Sequence, residues 1–400
     1  MQRIIKFILR FKIPLLVVAF AATILHSLIL VPHYYPLCQY FISYRFGFIK
    51  RAFIGTLLTP FVAGRNNGEL IWIVSIFSGI FLALFFMTLI VKWITATKNN
   101  HLVFLSGFVF FVSPFIAFLS NNFGYFDSII YLITLICSLC ILNNVNIVLI
   151  IALNITGILI QEIYLVVSLP VIIFTYALRD MVLQNEKAGW SWKLQIFIRN
   201  ILCILFPVSI LLLILYKNSF SEDIYSYMQS LHIMTEEWIN YGLWTLRVPL
   251  YEDWRRGFQF LKVSHLLEIL PTTFFYLILS LTLYFKYLSG RDKINNCLMI
   301  AIIMFCSFSP CLLILFAWDV GRILSFTNFN AFIIYFLMIK TNRKDDLLNF
   351  AGKRVVTLII LLSVFNLSLL AFNYLPLEFV KQAIPRKDGF AVIDIFDVIF

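Results

Sequence analysis

Three carboxylates in this sequence stand where proton transfer could use them. Glu162 follows Gln161 at the midpoint of an apolar run, residues 146–178, and no Lys or Arg lies within fifteen residues of it. Loss of solvation disfavours a charged carboxylate and raises its proton affinity, which suits a general base or acid. A turn carboxylate facing water, or one satisfied by a distant Arg, fits the same residues. Asp127 closes the stretch Asn121-Asn122-Phe123-Gly124-Tyr125-Phe126-Asp127 and opens an apolar span. Helix capping and compensation of the helix dipole compete there with a chemical role. Asp319 precedes Arg322 by three residues in Trp318-Asp319-Val320-Gly321-Arg322. That is the spacing of an ion pair on one helical turn, so a structural clip is expected, with Arg322 also able to reach a ligand.

The cations that could complement these acids are Arg45, Lys50 and Arg51, set among rings in Tyr44-Arg45-Phe46-Gly47-Phe48-Ile49-Lys50-Arg51-Ala52-Phe53-Ile54-Gly55. Aromatic neighbours that hold cations at a bilayer face suit phosphate binding, and they equally describe an interfacial anchor snorkelling into headgroups.

The elements that must position these groups are membrane helices. The chain has 400 residues, of which 62% are hydrophobic and 13% charged, with a mean hydropathy of +0.94. Soluble domains are about 45–50% apolar and about 25% charged. Its apolar runs are continuous over 16 to 24 residues and do not alternate, which requires helices and excludes a barrel. Eleven spans are expected, near 13–31, 70–92, 102–119, 128–143, 146–160, 163–178, 198–216, 266–285, 297–316, 323–339 and 355–375. The basic start, MQRIIKFILRFK, leads into a long apolar run without a small-residue cleavage site, so the first span reads as retained.

Residues 146–178 would make one helix of about 50 Å, too long for a hydrocarbon core of about 30 Å. Two antiparallel helices meeting at Gln161-Glu162 are therefore expected. Residues 51–63 are too short to cross and read as an interfacial or re-entrant helix ended by Pro60 and Gly64.

With a cytoplasmic N-terminus and a periplasmic C-terminus, the inner segments hold 18 of the 31 Lys and Arg residues, a net +13 inside against −2 outside. This is the positive-inside bias, so the overall charge of +11 reflects topology and implies no nucleic acid. Arg45, Lys50 and Arg51 run against it on an outer loop, which favours phosphate binding over simple anchoring. The topology places Asp127, Glu162, Asp319, Arg322 and the long segment 217–265 on that same outer side. Charges at a bilayer surface are costly and tend to mark sites.

Residues 217–265 are too few for an independent domain and are expected to pack as short helices over the membrane face of a single domain spanning 1–400. Their Trp238, Trp244, Trp254 and Arg255 could stack on or bind sugars, or form an aromatic belt. Gly-rich phosphate loops, HExxH and GxSxG are missing from the sequence, and its one CxxC spacing, Cys137 to Cys140, lies inside an apolar span, so neither a metal nor another cofactor is expected.

Eleven spans, polar residues gathered on the outer face, one large outer loop and a Phe/Ile/Asn/Lys-heavy composition together resemble the Wzy-type O-antigen polymerases of Gram-negative bacteria. The likeness is architectural and extends to other glycosyltransferases with polyprenyl-linked donors. In this chain the large loop follows the seventh span, and its Arg pattern matches no family motif residue by residue. The resemblance implies a bacterial inner-membrane enzyme. It would transfer a growing glycan from undecaprenyl diphosphate to the next lipid-linked repeat unit, with membrane lipid around it and a chain-length regulator as candidate protein partner. On that basis Glu162 is the expected base with Asp127 in reserve, and Arg45, Lys50, Arg51 and Arg322 would hold the diphosphate. A transferase adding single sugars from a polyprenyl monophosphate uses the same residue types. A transporter or lipid flippase would require polar groups through the bilayer or inverted repeats.

Overall fold

Proline and asparagine mark some of the breaks between helices, at Pro114, at Asn143-Asn144 and at Pro310, while Pro60, Pro170 and Pro271 lie inside helices. The computed structural model describes residues 12–28, 34–46, 49, 51–62, 101–121, 125–183, 206–210, 222–230, 236–247, 263–288, 293–315 and 320–341, with parts of 77–92 and 358–367. In chain order the helices are α1 (Lys12–Leu28), α2 (Tyr34–Phe41), α3 (Ala52–Val62), α4 (His101–Phe111), α5 (Pro114–Asn121), α6 (Asp127–Leu142) and α7 (Ile147–Ile160). They continue with α8 (Tyr164–Leu183), α9 (Glu222–Ser230), α10 (Glu236–Arg247), α11 (Val263–Leu283), α12 (Lys293–Phe308) and α13 (Val320–Thr341). No strand occurs among the described residues.

The chain is an all-α membrane protein. Among the described residues, four stretches are long and apolar enough to cross a bilayer, Tyr164–Val182, Ile269–Leu288, Asn296–Ile314 and Val320–Thr341. Three shorter apolar helices accompany them, Ile13–Thr23, Asp127–Leu142 and Ile147–Ile160. The spans expected at 70–92, 198–216 and 355–375 lie largely outside the described residues, as do both termini.

Several expectations meet the structure directly. The run 146–178 divides into α7 and α8, with Gln161 in an extended conformation at the break. The run 102–119 is not one helix. It breaks at Ser113-Pro114 into α4 and α5, because Pro114 has no N–H to continue the ladder and disfavours helical backbone at Ser113. The short helix expected at 51–63 is α3, which runs through Pro60 to Val62. Segment 217–265 contains two short helices, α9 and α10. Helix α2 was not anticipated; it packs against α3 and α10.

Side-chain pairings fix the direction of the helices. Thr134 on α6 bonds Ser168 on α8, and Thr175 bonds Ser138, so the numbers rise together and α6 and α8 run parallel. Helix α7 between them therefore runs the other way, and the chain reverses at Gln161–Ile163. Tyr131 packs on Phe326 and Phe329, which together with Arg322 beside Asp127 makes α13 parallel to α6. Phe110, Phe115 and Phe118 meet Phe332, Phe329 and Gly321 respectively, so α4 and α5 are antiparallel to α13. The start of α6, the start of α8, the end of α5 and the start of α13 thus share one end of the bundle.

Helix α13 is the hub: its residues from Val320 to Ile339 are all buried. Its polar side chains bond to backbone and side-chain groups of its neighbours. Pro310 cannot donate to the Cys306 carbonyl four residues before it, and Asn330 Nδ2 takes that place at 2.9 Å while also donating to the Val167 carbonyl at 2.9 Å. Thr273 of α11 donates to Asn328 Oδ1 at 2.5 Å and meets the Thr327 hydroxyl at 2.7 Å. Asn330→Leu should cost about 1–2 kcal/mol and lower the thermal midpoint of the detergent-purified chain by several degrees. An unchanged midpoint would show that Asn330 does not brace α8 and the end of α12.

Candidate functional site

Two arginine–carboxylate pairs stand at the shared end of the bundle. Glu162, in the turn between α7 and α8, accepts hydrogen bonds on both oxygens from Arg51 Nε, each at 3.0 Å, and Arg51 Nη2 also bonds Oε1. The partner comes from 111 residues away in sequence, so the carboxylate that lacks a local cation has a distant one. Arg51 lies just before α3 with a positive φ of 63°, a conformation that a non-glycine residue rarely adopts and that tertiary contacts must hold. Those contacts come from α3, which sits so close to α2 that only glycine fits at position 55. The Tyr44 N–H donates to Thr56 Oγ1 at 2.8 Å and ties the preceding turn to the same helix.

The second pair joins Asp127, first residue of α6, to Arg322, on the first turn of α13. Arg322 Nε lies 2.8 Å from Asp127 Oδ2, and Nη2 donates to Oδ1 at 3.4 Å. Both side chains are about nine-tenths buried. The Tyr125 ring covers the guanidinium at 4.1 Å, a cation–π contact inside a dry setting. Helix α6 has Phe126 as its N-cap and no side-chain cap, so Asp127 provides the negative charge of the first turn. Arg51 is near enough to Asp127 for its charge to act there, which makes the two pairs one cluster of four charges.

A narrow cleft opens beside the second pair. It is lined by Asp127, Ser128 and Tyr131 of α6, by Arg322 and Ser325 of α13, and by Tyr125 and the Phe115, Phe118 and Phe326 rings. Arg322 was expected to pair with Asp319 three residues earlier. Its partner among the described residues is Asp127, because α6 and α13 run parallel and start side by side; Asp319 itself lies outside the described residues.

Arg45 takes a different position from Arg51. It is exposed, and its guanidinium stacks 3.6 Å above the Tyr227 ring of α9 and 4.4 Å above Phe46. This joins the cationic stretch to segment 217–265 and leaves Arg45 outside the four-charge cluster as drawn by its contacts. Lys50, Trp254 and Arg255 lie outside the described residues. Trp238 and Trp244 fall on α10, which packs on α2; the placement of their side chains is not described.

Residues that sequence reading passed over are Tyr131, Ser128 and Ser325. For Tyr131 and Ser325 the signal was helical spacing: Tyr131 stands four residues after Asp127 and Ser325 three after Arg322, so each lies beside a charged residue on one helical face, whereas Ser128, next to Asp127, has no such mark. Comparison with protein-family models, with curated proteins and with solved structures found no match for this chain.

Proposed function

We propose that this chain is a membrane glycosyltransferase that joins polyprenyl-diphosphate-linked repeat units of O-antigen or a similar surface polysaccharide at the periplasmic face of the bacterial inner membrane. The observation that carries the reading is the convergence of Arg51–Glu162 and Arg322–Asp127 at one end of the bundle, the second pair opening on a cleft. The charge bias of the loops supports the periplasmic side for that end.

In this reaction an acceptor sugar hydroxyl attacks the anomeric carbon of the donor glycan. The bond from that carbon to the diphosphate oxygen breaks, the polyprenyl diphosphate leaves with the bonding electrons, and the hydroxyl proton passes to a carboxylate. Arginines stabilise the departing charge best in a water-poor setting where their positions are already fixed. The carboxylates holding Arg51 and Arg322 supply that fixation. Asp127 lines the cleft and Glu162 does not, so Asp127 is the better placed of the two to take the proton.

The polar residues of α13 bear on transport. From Arg322 to Asn330 they are frequent, but from Ala331 to Met338 only Tyr335 carries a polar atom. Such a spine braces neighbouring helices and enters from one end, whereas alternating access requires a polar route to both.

The test is a lipopolysaccharide gel from cells whose chromosomal copy carries Asp127→Asn. The expected result is single repeat units in place of a polymer ladder, read at matched amounts of protein in the membrane because the neutral side chain also withdraws the counter-charge of Arg322. A full ladder would sink the assignment, and an intact ladder lacking one side sugar would identify a decorating transferase.

A further inference from the structure

We infer that the cleft beside Asp127 and Arg322 is a phosphate-oxyanion subsite in which the Tyr131 hydroxyl donates a hydrogen bond to the bound oxygen. This rests on the glycosyl-transfer reading for its ligand, a lipid-linked diphosphate, and assigns a substrate contact to a residue outside the charged cluster.

The observation is an unspent donor. Tyr131 is 3% exposed, and its ring is clamped by Phe115 at 4.9 Å, Phe329 at 4.3 Å and Phe326 at 5.6 Å, so the hydroxyl has little freedom to seek a partner elsewhere. That hydroxyl is buried and makes no hydrogen bond, although Asp127 is close enough for its charge to act on it. Buried hydroxyls are nearly always bonded, and one that is not calls for an acceptor from outside the chain. Tyr131 lines the same cleft as Arg322, so the acceptor can be supplied there.

The surroundings specify what the acceptor is. Arg322 offers a cation whose face is already taken by Tyr125. The first turn of α6 offers a helix N-terminus without a side-chain cap. The Ser325 hydroxyl is committed to the Arg322 carbonyl at 2.6 Å and does not compete. Arg322 and Tyr131 thus bring positive charge and a free donor to the cleft, and its one carboxylate, Asp127, is engaged with Arg322. A neutral sugar hydroxyl needs acceptors as well as donors. A phosphate oxygen needs only donors and positive charge, and it would compete with Asp127 for the guanidinium. Asp127 is then the counter-ion that a bound phosphate oxygen would displace. A phospholipid headgroup shares this chemistry with a polyprenyl diphosphate, and the experiment separates them.

The full chain, purified in detergent, is titrated with undecaprenyl diphosphate and in parallel with phosphatidylglycerol, following its thermal midpoint. For the wild type, undecaprenyl diphosphate should raise the midpoint. In Tyr131→Phe the apparent Kd for it should weaken by about tenfold, the loss of one hydrogen bond to a charged acceptor. The unliganded midpoint should be the same or higher, since the hydroxyl removed has no partner. Equal affinity in the two proteins overturns the subsite, as does a lower unliganded midpoint in Tyr131→Phe, which would show a structural partner. A wild type that responds to neither lipid overturns it too. A Tyr131-dependent response to phosphatidylglycerol alone would support the oxyanion subsite and overturn the glycosyl-transfer reading.

Discussion

Asp127→Ala is expected to destabilise the chain by about 3–5 kcal/mol, because it leaves the Arg322 guanidinium buried with its principal counter-charge removed. The magnitude comes from the asymmetry of buried ion pairs. Forming one roughly repays the desolvation of both ions, whereas deleting one member keeps the cost of the other and discards the attraction. Arg322→Ala should cost a comparable amount for the mirrored reason. Asp127→Ala combined with Arg322→Ala should cost less than the sum of the two, since the double variant strands neither charge without the other. Denaturation of the four proteins in mixed micelles checks this as a cycle. Single-variant losses that add to within about 0.5 kcal/mol would show the two side chains to be energetically independent. The lipid-exposed face serves as a control: Phe305→Ala on α12, where Phe305 is 56% exposed, removes no packed contact of this kind and should change little.

The cycle also explains which parts of the site could be read in advance. Asp127 and Glu162 stand out in the sequence because a carboxylate in an apolar run is conspicuous whatever it touches. Their partners do not. Arg51 is 111 residues from Glu162 and Arg322 is 195 from Asp127, and no local pattern links positions that meet only after the bundle has assembled. The expected pairing of Arg322 with Asp319 falls outside the described residues, whereas the bond from Arg322 to Asp127 is a tertiary contact that no local rule supplies. Helix breaks divide in the same manner. The reversal at Gln161-Glu162 followed from length against bilayer thickness, a global constraint visible in one dimension. The break at Pro114 carried the ordinary mark of a proline inside an apolar run, but the run was of spanning length and concealed it. Helix α2, eight residues long, depends on packing against α3 and α10, which local composition does not reveal.

Gly55→Ala should have the second large effect, about 3 kcal/mol, at the upper end of penalties for overfilling a packed site. A methyl group at Gly55 would lie 2.0 Å from the Ile42 carbonyl oxygen and 2.8 Å from that of Tyr40. Both are main-chain atoms just after α2 and near its end, so no rotamer change relieves the clash and α3 must lift away as a unit. Arg51 immediately precedes α3, and its left-handed backbone is set by the way the helix is seated. Lifting α3 therefore withdraws the guanidinium from Glu162. If this chain of causes holds, Arg51→Ala is costly in the wild-type background and nearly silent in the Gly55→Ala background, because the pair it would break is already open. The thermal midpoints of the four proteins decide the matter. Fully additive losses would mean that α3 accommodates the methyl group without moving Arg51, and that the glycine and the ion pair serve separate ends. Non-additivity would make a single missing side chain, far from the charged groups in chemistry though only four residues from Arg51 in sequence, the condition for the Arg51–Glu162 half of the cluster to form.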